Sequence, residues 1–204
     1  MVGERSGDAP RGPGRPRSID RAAALDRAID AFWRGGYAGT SLDDLTGAMG
    51  VSRPTLYDAF GGKRALFLSA IDRYAGLVGG AAADALDAAL EAGDTPRAAA
   101  TAFLRAALDG QTREDGPHGC LIACCAAASA TTVEGVADRM RAIHDASLDR
   151  LAAALSQRMP DRDARLRASR LLDAMNAQAL RARASVSRET LANEIEMRVA
   201  GALA

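Results

Sequence analysis

The sequence predicts an all-α fold, for three reasons. Hydrophobic residues make up 48% of the 204 residues, and many of them are alanine, which favours helices over sheets. Apolar residues recur at the spacing of amphipathic helices along most of the chain. No run of alternating β-branched residues, the pattern of a strand, occurs in the sequence. A chain of this length can bury one large core, or a small domain beside a larger one.

The N-terminal arm, residues 1–17, is rich in Gly, Pro and Arg, a composition that predicts disorder in the free protein. Its end resembles the Gly-Arg-Pro core of minor-groove hooks, so Arg15 and Arg17 are candidates for insertion into an AT-rich minor groove. The alternative is a solvated tail without a binding role.

A first helix is predicted from Ser18 to about Arg34, because apolar side chains recur on one face of it. That face consists of Leu25, Ala28, Ile29, Phe32 and Trp33. A tryptophan at such a position is expected in the core and not in a ligand site.

Residues 40–60 predict two short helices joined by a tight glycine turn. Thr40 or Ser41 can cap the first of these helices, with Asp44 as the acid of a capping box. Gly50 can take the left-handed conformation that ends this helix. The apolar face of the first helix is formed by Leu42, Leu45 and Met49.

The second short helix is expected to begin at Ser52, which can cap it. Pro54 is tolerated there, because amides in the first turn have no partner within the helix. Two helices in this arrangement predict a helix-turn-helix, the motif whose second helix enters the major groove of DNA.

Side chains on the second helix fit that interpretation. Arg53 and Thr55 stand at its front, where short polar groups contact base edges, whereas Tyr57 and Lys63 come later and suit phosphate oxygens. The alternative is an ordinary helical hairpin with a solvated face. The full set of predicted DNA-contacting residues is Arg15, Arg17, Thr40, Ser41, Ser52, Arg53, Pro54, Thr55, Tyr57 and Lys63.

The net charge of the chain is formally zero, so a bulk basic field does not drive DNA binding. Residues 1–73 hold 11 Arg and Lys against 9 Asp and Glu, a charge of +2 that leaves −2 for the remainder. Binding is therefore expected to depend on a few placed arginines and to weaken with salt.

At these residues the chain resembles the TetR (tetracycline-repressor) family of one-component transcriptional regulators. The shared motifs lie at 32–37 (Phe-Trp-Arg-Gly-Gly-Tyr), 40–41 (Thr-Ser), 50–52 (Gly-Val-Ser) and 56–63 (Leu-Tyr-Asp-Ala-Phe-Gly-Gly-Lys). Asp58 departs from the aromatic residue or His often found at that point. The resemblance implies a three-helix helix-turn-helix DNA-binding domain at residues 18–62. It also implies a larger helical ligand-binding and dimerisation domain at residues 63–204.

The rest of the chain predicts further helices. Lys63 opens a long helix that Gly79 and Gly80 are expected to bend before it resumes and ends at Gly93. Later helices are predicted from Pro96, over residues 119–125, through residues 136–155, over residues 161–183 and from Ser187. Residues 111–119, which are polar and contain Gly-Pro, predict a loop.

A homodimer is expected, because one helix-turn-helix reads too few base pairs and two must be held about one DNA turn apart on a palindromic operator. The resemblance implies that the last two helices build it as a four-helix bundle. Packing within one chain is the alternative for each residue of the candidate seam, which consists of Leu172, Met175, Ala179, Leu191 and Ile195.

The resemblance also implies a repressor whose small-molecule effector, of unknown identity, occupies an apolar pocket between residues 63 and 155. Core packing is the alternative for each predicted lining residue. These residues are Phe103, Ile122, Cys124, Met140 and His144.

Three cysteines, at 120, 124 and 125, lie in one short segment, which is a poor disulfide framework. They are expected to pack as neutral thiols. The alternative is a thiol or metal sensor in which Cys120 and Cys124 act with His118 or His144. A Cys–His hydrolase has less support, because no nucleophile elbow or His-Glu-x-x-His motif is present. No enzyme activity, cofactor or metal is therefore expected.

No apolar run approaches the ~20 residues that span a bilayer, and the N-terminus lacks an apolar signal core. The protein is therefore expected in the cytoplasm, without a membrane partner.

Overall fold

A computed structural model describes residues 20–204, so Arg15, Arg17 and the rest of the predicted arm lie outside the described residues. No strand occurs within the described range, and the predicted all-α fold is confirmed. None of the helices in this range has the length and apolar character to cross a membrane. The helices are α1 (Arg21–Gly39), α2 (Leu42–Met49), α3 (Arg53–Phe60), α4 (Lys63–Tyr74), α5 (Gly80–Glu91), α6 (Pro96–Gln111), α7 (Ala127–Ser129), α8 (Val136–Ser156), α9 (Asp161–Arg183), α10 (Arg188–Asn193) and α11 (Ile195–Leu203).

The first helix begins later than the predicted start at Ser18. The Asp20 carboxylate caps α1, accepting hydrogen bonds from the amides of Ala22 and Ala23 at 3.1 Å each. The helix is interrupted at Gly36, whose φ of 67° is left-handed, and only glycine enters that region without strain.

The predicted bend in the long helix is a change of hydrogen-bond pattern. Residues Ala75–Gly79 form a π-helical segment that joins α4 to α5 without a loop. Such segments insert a wider turn into an otherwise regular helix. Because the helix is continuous, a displacement near residue 75 reaches the residues that α4 packs against the N-terminal helices.

The buried side chains form two clusters. The N-terminal cluster holds the apolar faces of α1–α4, with Phe32, Trp33 and Phe67 almost fully buried. It also includes Leu121 and Cys125 from a second π-helical segment, Leu121–Ala126. The C-terminal cluster joins α5, α6, α8, α9, α10 and α11. Because the N-terminal cluster takes in later residues, the domain boundary at 62 and 63 stays a prediction.

The last predicted helix is two helices, α10 and α11, which meet at Glu194. Ser187 caps α10 as predicted, accepting a hydrogen bond from the Thr190 amide at 3.1 Å. The Glu194 carboxylate accepts hydrogen bonds from Arg181 on α9 and Arg198 on α11. Those two guanidinium groups, that of Arg181 first, lower the Glu194 pKa from 4.5 to about 2. This ion pair network fixes the C-terminal helices against α9.

Replacing Glu194 with Gln is expected to lower the Tm at neutral pH, because both arginines lose their charged acceptor. The carboxylate contribution is complete above pH 4.5 and is lost as the pH falls through about 2, since the folded-state pKa is the lower one. Thermal unfolding of both proteins from neutral to acid pH measures this, and the difference in Tm should shrink at the acid end.

Glu114→Gln is the matched control, because Glu114 is exposed and has no ion pair within residues 20–204. Equal Tm values for the Glu194 and Glu114 variants at neutral pH would contradict the assigned role.

Candidate nucleic-acid interface and internal cavity

The caps predicted for the helix-turn-helix are present. Ser41 Oγ accepts a hydrogen bond from the Asp44 amide at 3.1 Å, and the Ser41 amide donates to the Asp44 carboxylate at 2.8 Å. Hydrogen bonds from Ser41 lower the Asp44 pKa below its ordinary value. Gly50 is left-handed, with φ 68°, and Ser52 Oγ accepts from the Thr55 amide at 3.3 Å. The turn between α2 and α3 is therefore fixed by local chemistry.

Packing sets the outward face of α3. Leu56 and Phe60 point into the N-terminal cluster, as do Leu45 and Met49 of α2. The opposite face of α3 is therefore turned to solvent. On or beside that face, exposed side chains are Ser52, Arg53, Pro54, Tyr57 and Asp58, with Thr55 half-buried.

Arg53, at the first position of α3, is held by a carboxylate of α2. Its Nε and Nη2 donate to the Asp43 carboxylate at 3.0 and 2.8 Å, in a two-point fork between exposed side chains. Sequence reasoning missed Asp43 as a site residue. Its position in the first turn of α2 gives no signal that it faces a residue ten positions later.

Tyr57 and Lys63 are positioned by the glycines between them. The Tyr57 ring lies on Gly62, where an added Cβ would come within 3.0 Å of the ring, and the φ of Gly62 is 100°. Both facts require glycine at that position. Lys63 follows, and its ammonium lies 4.4 Å from the centroid of the Tyr37 ring. These contacts place a hydroxyl and a cation beside the exposed face of α3.

Thr40 and Ser41 have structural roles in the described residues. Thr40 is buried, and its hydroxyl donates to the Gly36 carbonyl at 2.7 Å, which closes the end of α1. This hydroxyl points away from the solvent-exposed face. Ser41 is exposed and caps α2.

A cavity of about 330 Å³ lies between the Ala75–Gly79 segment, α8 and α9. Of the predicted lining residues, Ile122, Met140 and His144 line it. Phe103 lines an adjoining cavity of about 330 Å³ that shares wall residues with the first. Cys124 lines neither, because its Sγ packs against α9, 3.9 Å from the Ala179 carbonyl.

Cys120 and Cys124 do not share a face, although they are four residues apart. Cys120 is the capping residue before the π-helical segment Leu121–Ala126, and its own backbone is extended, with φ −133° and ψ 130°. Its side chain therefore does not follow the helical face that carries Cys124. Cys120 therefore lines the first cavity while Cys124 contacts α9. Other wall residues that sequence reasoning missed as ligand contacts are Tyr74, Gln111 and Asn176.

The cysteines lack the surroundings of reactive thiols. Burial raises the pKa of the Cys120 and Cys125 thiols above their ordinary value, which keeps both neutral at physiological pH. The Cys125 thiol donates to the Trp33 carbonyl at 3.3 Å, a packing contact with α1. Across residues 20–204, no three His, Cys, Asp or Glu side chains are grouped as metal ligands.

The fold and the exposed face of α3 define the class of this chain, a helix-turn-helix DNA-binding protein. Residues 24–70 match the family described as bacterial regulatory proteins, tetR family. Over 61 residues the chain is 52% identical to the HTH-type transcriptional repressor ComR of Escherichia coli K12. It is 36% identical over 64 residues to the repressor BdcR of the same organism. The ComR match spans 30% of this chain and only 29% of ComR.

Likeness to solved structures extends over nearly the whole chain. A cysteine mutant of the TetR family transcriptional regulator CifR, complexed with 26-bp double-strand operator DNA, is 31% identical. The match has a TM-score of 0.78 and covers 91% of this chain and 98% of CifR. SCO4454 from Streptomyces coelicolor shares the fold, with a TM-score of 0.74 and 24% sequence identity. This match covers 91% of the present chain and 95% of SCO4454. The chain therefore belongs to the TetR family of DNA-binding transcriptional regulators.

Replacing Cys120, Cys124 and Cys125 together by Ser is expected to leave DNA affinity unchanged, with and without peroxide or zinc, because the thiols are packing groups. The lost packing should lower the Tm modestly. Gel shifts of wild type and triple variant under both treatments measure this. DNA release from the wild type that disappears in the variant would instead identify a thiol sensor, with His118 and His144 as the next residues to change.

Proposed function

We propose that this regulator is a homodimeric repressor that binds a palindromic operator and releases it when a small molecule occupies the internal cavity. The observation that carries the proposal is the outward face of α3, where Arg53, Tyr57 and Lys63 are each held by a specific neighbour. The repressor names of ComR and BdcR and the operator complex of CifR support it.

The residues of this face have different roles. Arg53 and Thr55 stand at the front of α3 and are assigned to base edges, where a guanidinium fork suits guanine. Tyr57 and Lys63 are assigned to phosphates, which fix register without carrying sequence information. Asp43 positions the Arg53 fork and offsets its charge, so it favours specificity over bulk attraction. The remaining proposed contacts are Arg15, Arg17, Ser41, Ser52 and Pro54.

The dimer seam is best placed on the outer faces of α9 and α11. Most of the residues proposed from the sequence are buried within one chain, namely Leu172, Ala179, Leu191 and Ile195, and Met175 lines the cavities. Leu166 and Leu180 of α9 are each 53% exposed, and Met197 of α11 is 66% exposed. Exposed apolar side chains on two adjacent helices are typical of a bundle interface.

The effector acts through α4. The cavity wall includes Ala75 and Gly79 of the π-helical segment that continues α4. The ring of Tyr74, the last residue of α4, makes an edge-on contact with the Trp33 ring of α1, with the two ring centroids 4.9 Å apart. An occupant that displaces this segment therefore displaces the DNA-binding helices. A ligand changes the spacing of the two DNA-binding domains in the dimer only if it binds the dimer with one spacing more tightly than the dimer with the other. The typical coupling free energy is about 1–3 kcal/mol.

Operator binding tests the DNA assignment, with operators selected from random duplexes. Tyr57→Phe combined with Lys63→Gln keeps both side-chain bodies and removes only the hydroxyl and the charge. It should weaken binding by ~1–3 kcal/mol at every sequence and reduce the salt slope by about 1. Arg53→Ala or Thr55→Ala should instead change which bases are selected.

Arg141→Ala removes an exposed charge from α8 and serves as the control, with no expected change in affinity. Unchanged operator binding and unchanged base selection in all the α3 variants, in folded protein, would remove the DNA assignment.

The seam is tested by Leu166→Glu combined with Met197→Glu, because Leu166 lines neither cavity whereas Leu180 lines the first one. This change should convert the dimer to monomers, because four carboxylates would meet in an apolar bundle. Sedimentation velocity measures the mass, and operator affinity should fall with it. Leu77→Glu, a change at a leucine that is 54% exposed elsewhere, is the matched control. A Leu166 and Met197 double variant that remains dimeric would show that the seam lies on another face.

A further inference from the structure

The helix-turn-helix segment, residues 40–63, carries two basic side chains and three acidic ones. Phosphates repel a carboxylate, so an acidic group on a DNA-facing surface weakens binding to any sequence. One of the three acids, Asp44, belongs to the cap of α2. The Asp43 carboxylate makes no cap bond, and within residues 20–204 it accepts hydrogen bonds only from Arg53. The reason for an acid at this position therefore lies in its pairing with Arg53.

The pair contributes little to the stability of the fold. The side chains of Arg53 and Asp43 are 57% and 75% exposed, and ion pairs between exposed groups add little stability. Arg53 is the first residue of α3, and the N-terminal residues of the second helix contact base edges in helix-turn-helix complexes. A carboxylate oxygen 2.8 Å from Arg53 Nη2 reaches the same base edges.

The fork occupies only one edge of the guanidinium. Arg53 Nε donates to Asp43 Oδ1 at 3.0 Å, and Nη2 donates to Oδ1 and Oδ2 at 2.8 Å each. The end edge, with one N–H from each of Nη1 and Nη2, makes no hydrogen bond within the described part of the chain. Asp43 Oδ2 accepts a single hydrogen bond and keeps a free lone pair. The paired side chains can therefore still bind a ligand through both partners.

The free groups of the pair follow one another in the order donor, donor, acceptor: Nη1–H and Nη2–H of Arg53, then Oδ2 of Asp43. In the major groove, a G·C pair presents the N7 and O6 acceptors of guanine and then the N4 amino donor of cytosine. The two orders are complementary. An A·T pair places an amino group against the second donor and a carbonyl oxygen against the carboxylate, and a reversed C·G pair places an amino group against the first donor.

We propose that Asp43 and Arg53 together read one G·C base pair of the operator. The end edge of Arg53 donates to guanine N7 and O6, and Asp43 Oδ2 accepts from cytosine N4. This inference rests on the proposed function, which assigns Arg53 to base edges, and it adds Asp43 as a residue that contacts a base. The carboxylate lowers the affinity for all DNA, and its repulsion is offset only where the amino donor is present. Asp43 therefore raises the ratio of operator affinity to non-operator affinity.

Modified bases test the two contacts separately, in gel shifts with the full chain. Operators selected from random duplexes locate the base pair whose preference is lost in Arg53→Ala, and this pair is expected to be G·C. At that pair, 7-deazaguanine lacks the N7 acceptor, and N4-methylcytosine carries a methyl group in place of the amino hydrogen that faces the groove. Both keep Watson–Crick pairing. Wild type is expected to bind each modified operator about tenfold more weakly, the scale of one hydrogen bond.

Each variant should become insensitive to one modified base. Arg53→Ala should bind the 7-deazaguanine operator and the unmodified operator equally, and Asp43→Ala should not distinguish N4-methylcytosine from cytosine. Asp43→Ala should also bind non-operator duplexes severalfold more tightly, because a charge that repels phosphates is gone, and this binding shows that the variant is folded.

Asp58→Ala is the matched control, because Asp58 is an exposed acid of α3 with no ion pair within residues 20–204. It should bind every duplex more tightly and keep the wild-type sensitivity to both modified bases. Sensitivity to N4-methylcytosine that is lost equally in the Asp58 and Asp43 variants would assign the effect to charge alone and overturn the proposal.

Three further results would overturn it: an Arg53-dependent pair other than G·C, full wild-type affinity for either modified operator, or equal sensitivity to N4-methylcytosine in wild type and Asp43→Ala. The proposed function fails in a different way. An operator that binds wild type and loses affinity in the Tyr57 and Lys63 double variant, but tolerates both modified bases, would sustain the DNA assignment and remove only the contact to the G·C pair. A wild type that prefers no selected duplex would remove the proposed function, and this inference with it.

Discussion

The edge contact between the rings of Trp33 and Tyr74, whose centroids are 4.9 Å apart, joins α1 to the wall of the cavity. Trp33 lies on α1, and Tyr74 is the last residue of α4 before the π-helical segment. Around this pair, the rings of Phe32 and Phe67 are in contact, with their centroids 4.8 Å apart, and the Cys125 thiol donates a hydrogen bond to the Trp33 carbonyl. Aromatic pairs in such tilted arrangements add stability beyond their buried area. The N-terminal cluster is therefore fixed to the cavity wall by packing and not by a flexible linker.

Features set by short stretches of sequence could be predicted. The Ser41 and Ser52 caps, the left-handed Gly50 and the bounds of α9 all follow from neighbouring residues, and the structure has each of them. The break between α10 and α11 was not predicted, because it coincides with the pairing of Glu194 to Arg181 of α9, a contact between residues 13 positions apart. Local propensity carries no information on such pairings.

The site was harder to predict than the fold, for the same reason. The Asp43 fork on Arg53 joins residues ten apart, and Thr40 is buried by the way α1 ends. Cys120 and Cys124 point in different directions because Cys120 lies in extended backbone before the helix, and a helical wheel treats both as helical. The unpartnered hydroxyl of Tyr74 depends on packing from several helices. Its position on the apolar face of α4 indicated only burial.

Charge pairing also limits how this chain can bind its ligands. Near α3 the fork on Arg53 is balanced by Asp43, and between α1 and α4 Arg73 donates to Asp26 at 2.7 Å and lowers the Asp26 pKa. Among residues 20–204, few basic groups beside the exposed face of α3 remain for phosphates, so base contacts are expected to carry much of the discrimination in the proposed DNA complex.

The cavity has a related property, since its wall holds no Asp, Glu, Lys or Arg among the described residues and two of its polar side chains, Gln111 and Ser147, are paired within the chain. Apolar filling contributes to affinity for any molecule of suitable size and therefore discriminates weakly between ligands. A polar group that is left unpaired discriminates strongly, because only some ligands satisfy it. The wall of this cavity holds both kinds of group, since Gln111 and Ser147 are paired within the chain whereas the side chains of His144 and Asn176 have no hydrogen-bond partner among residues 20–204.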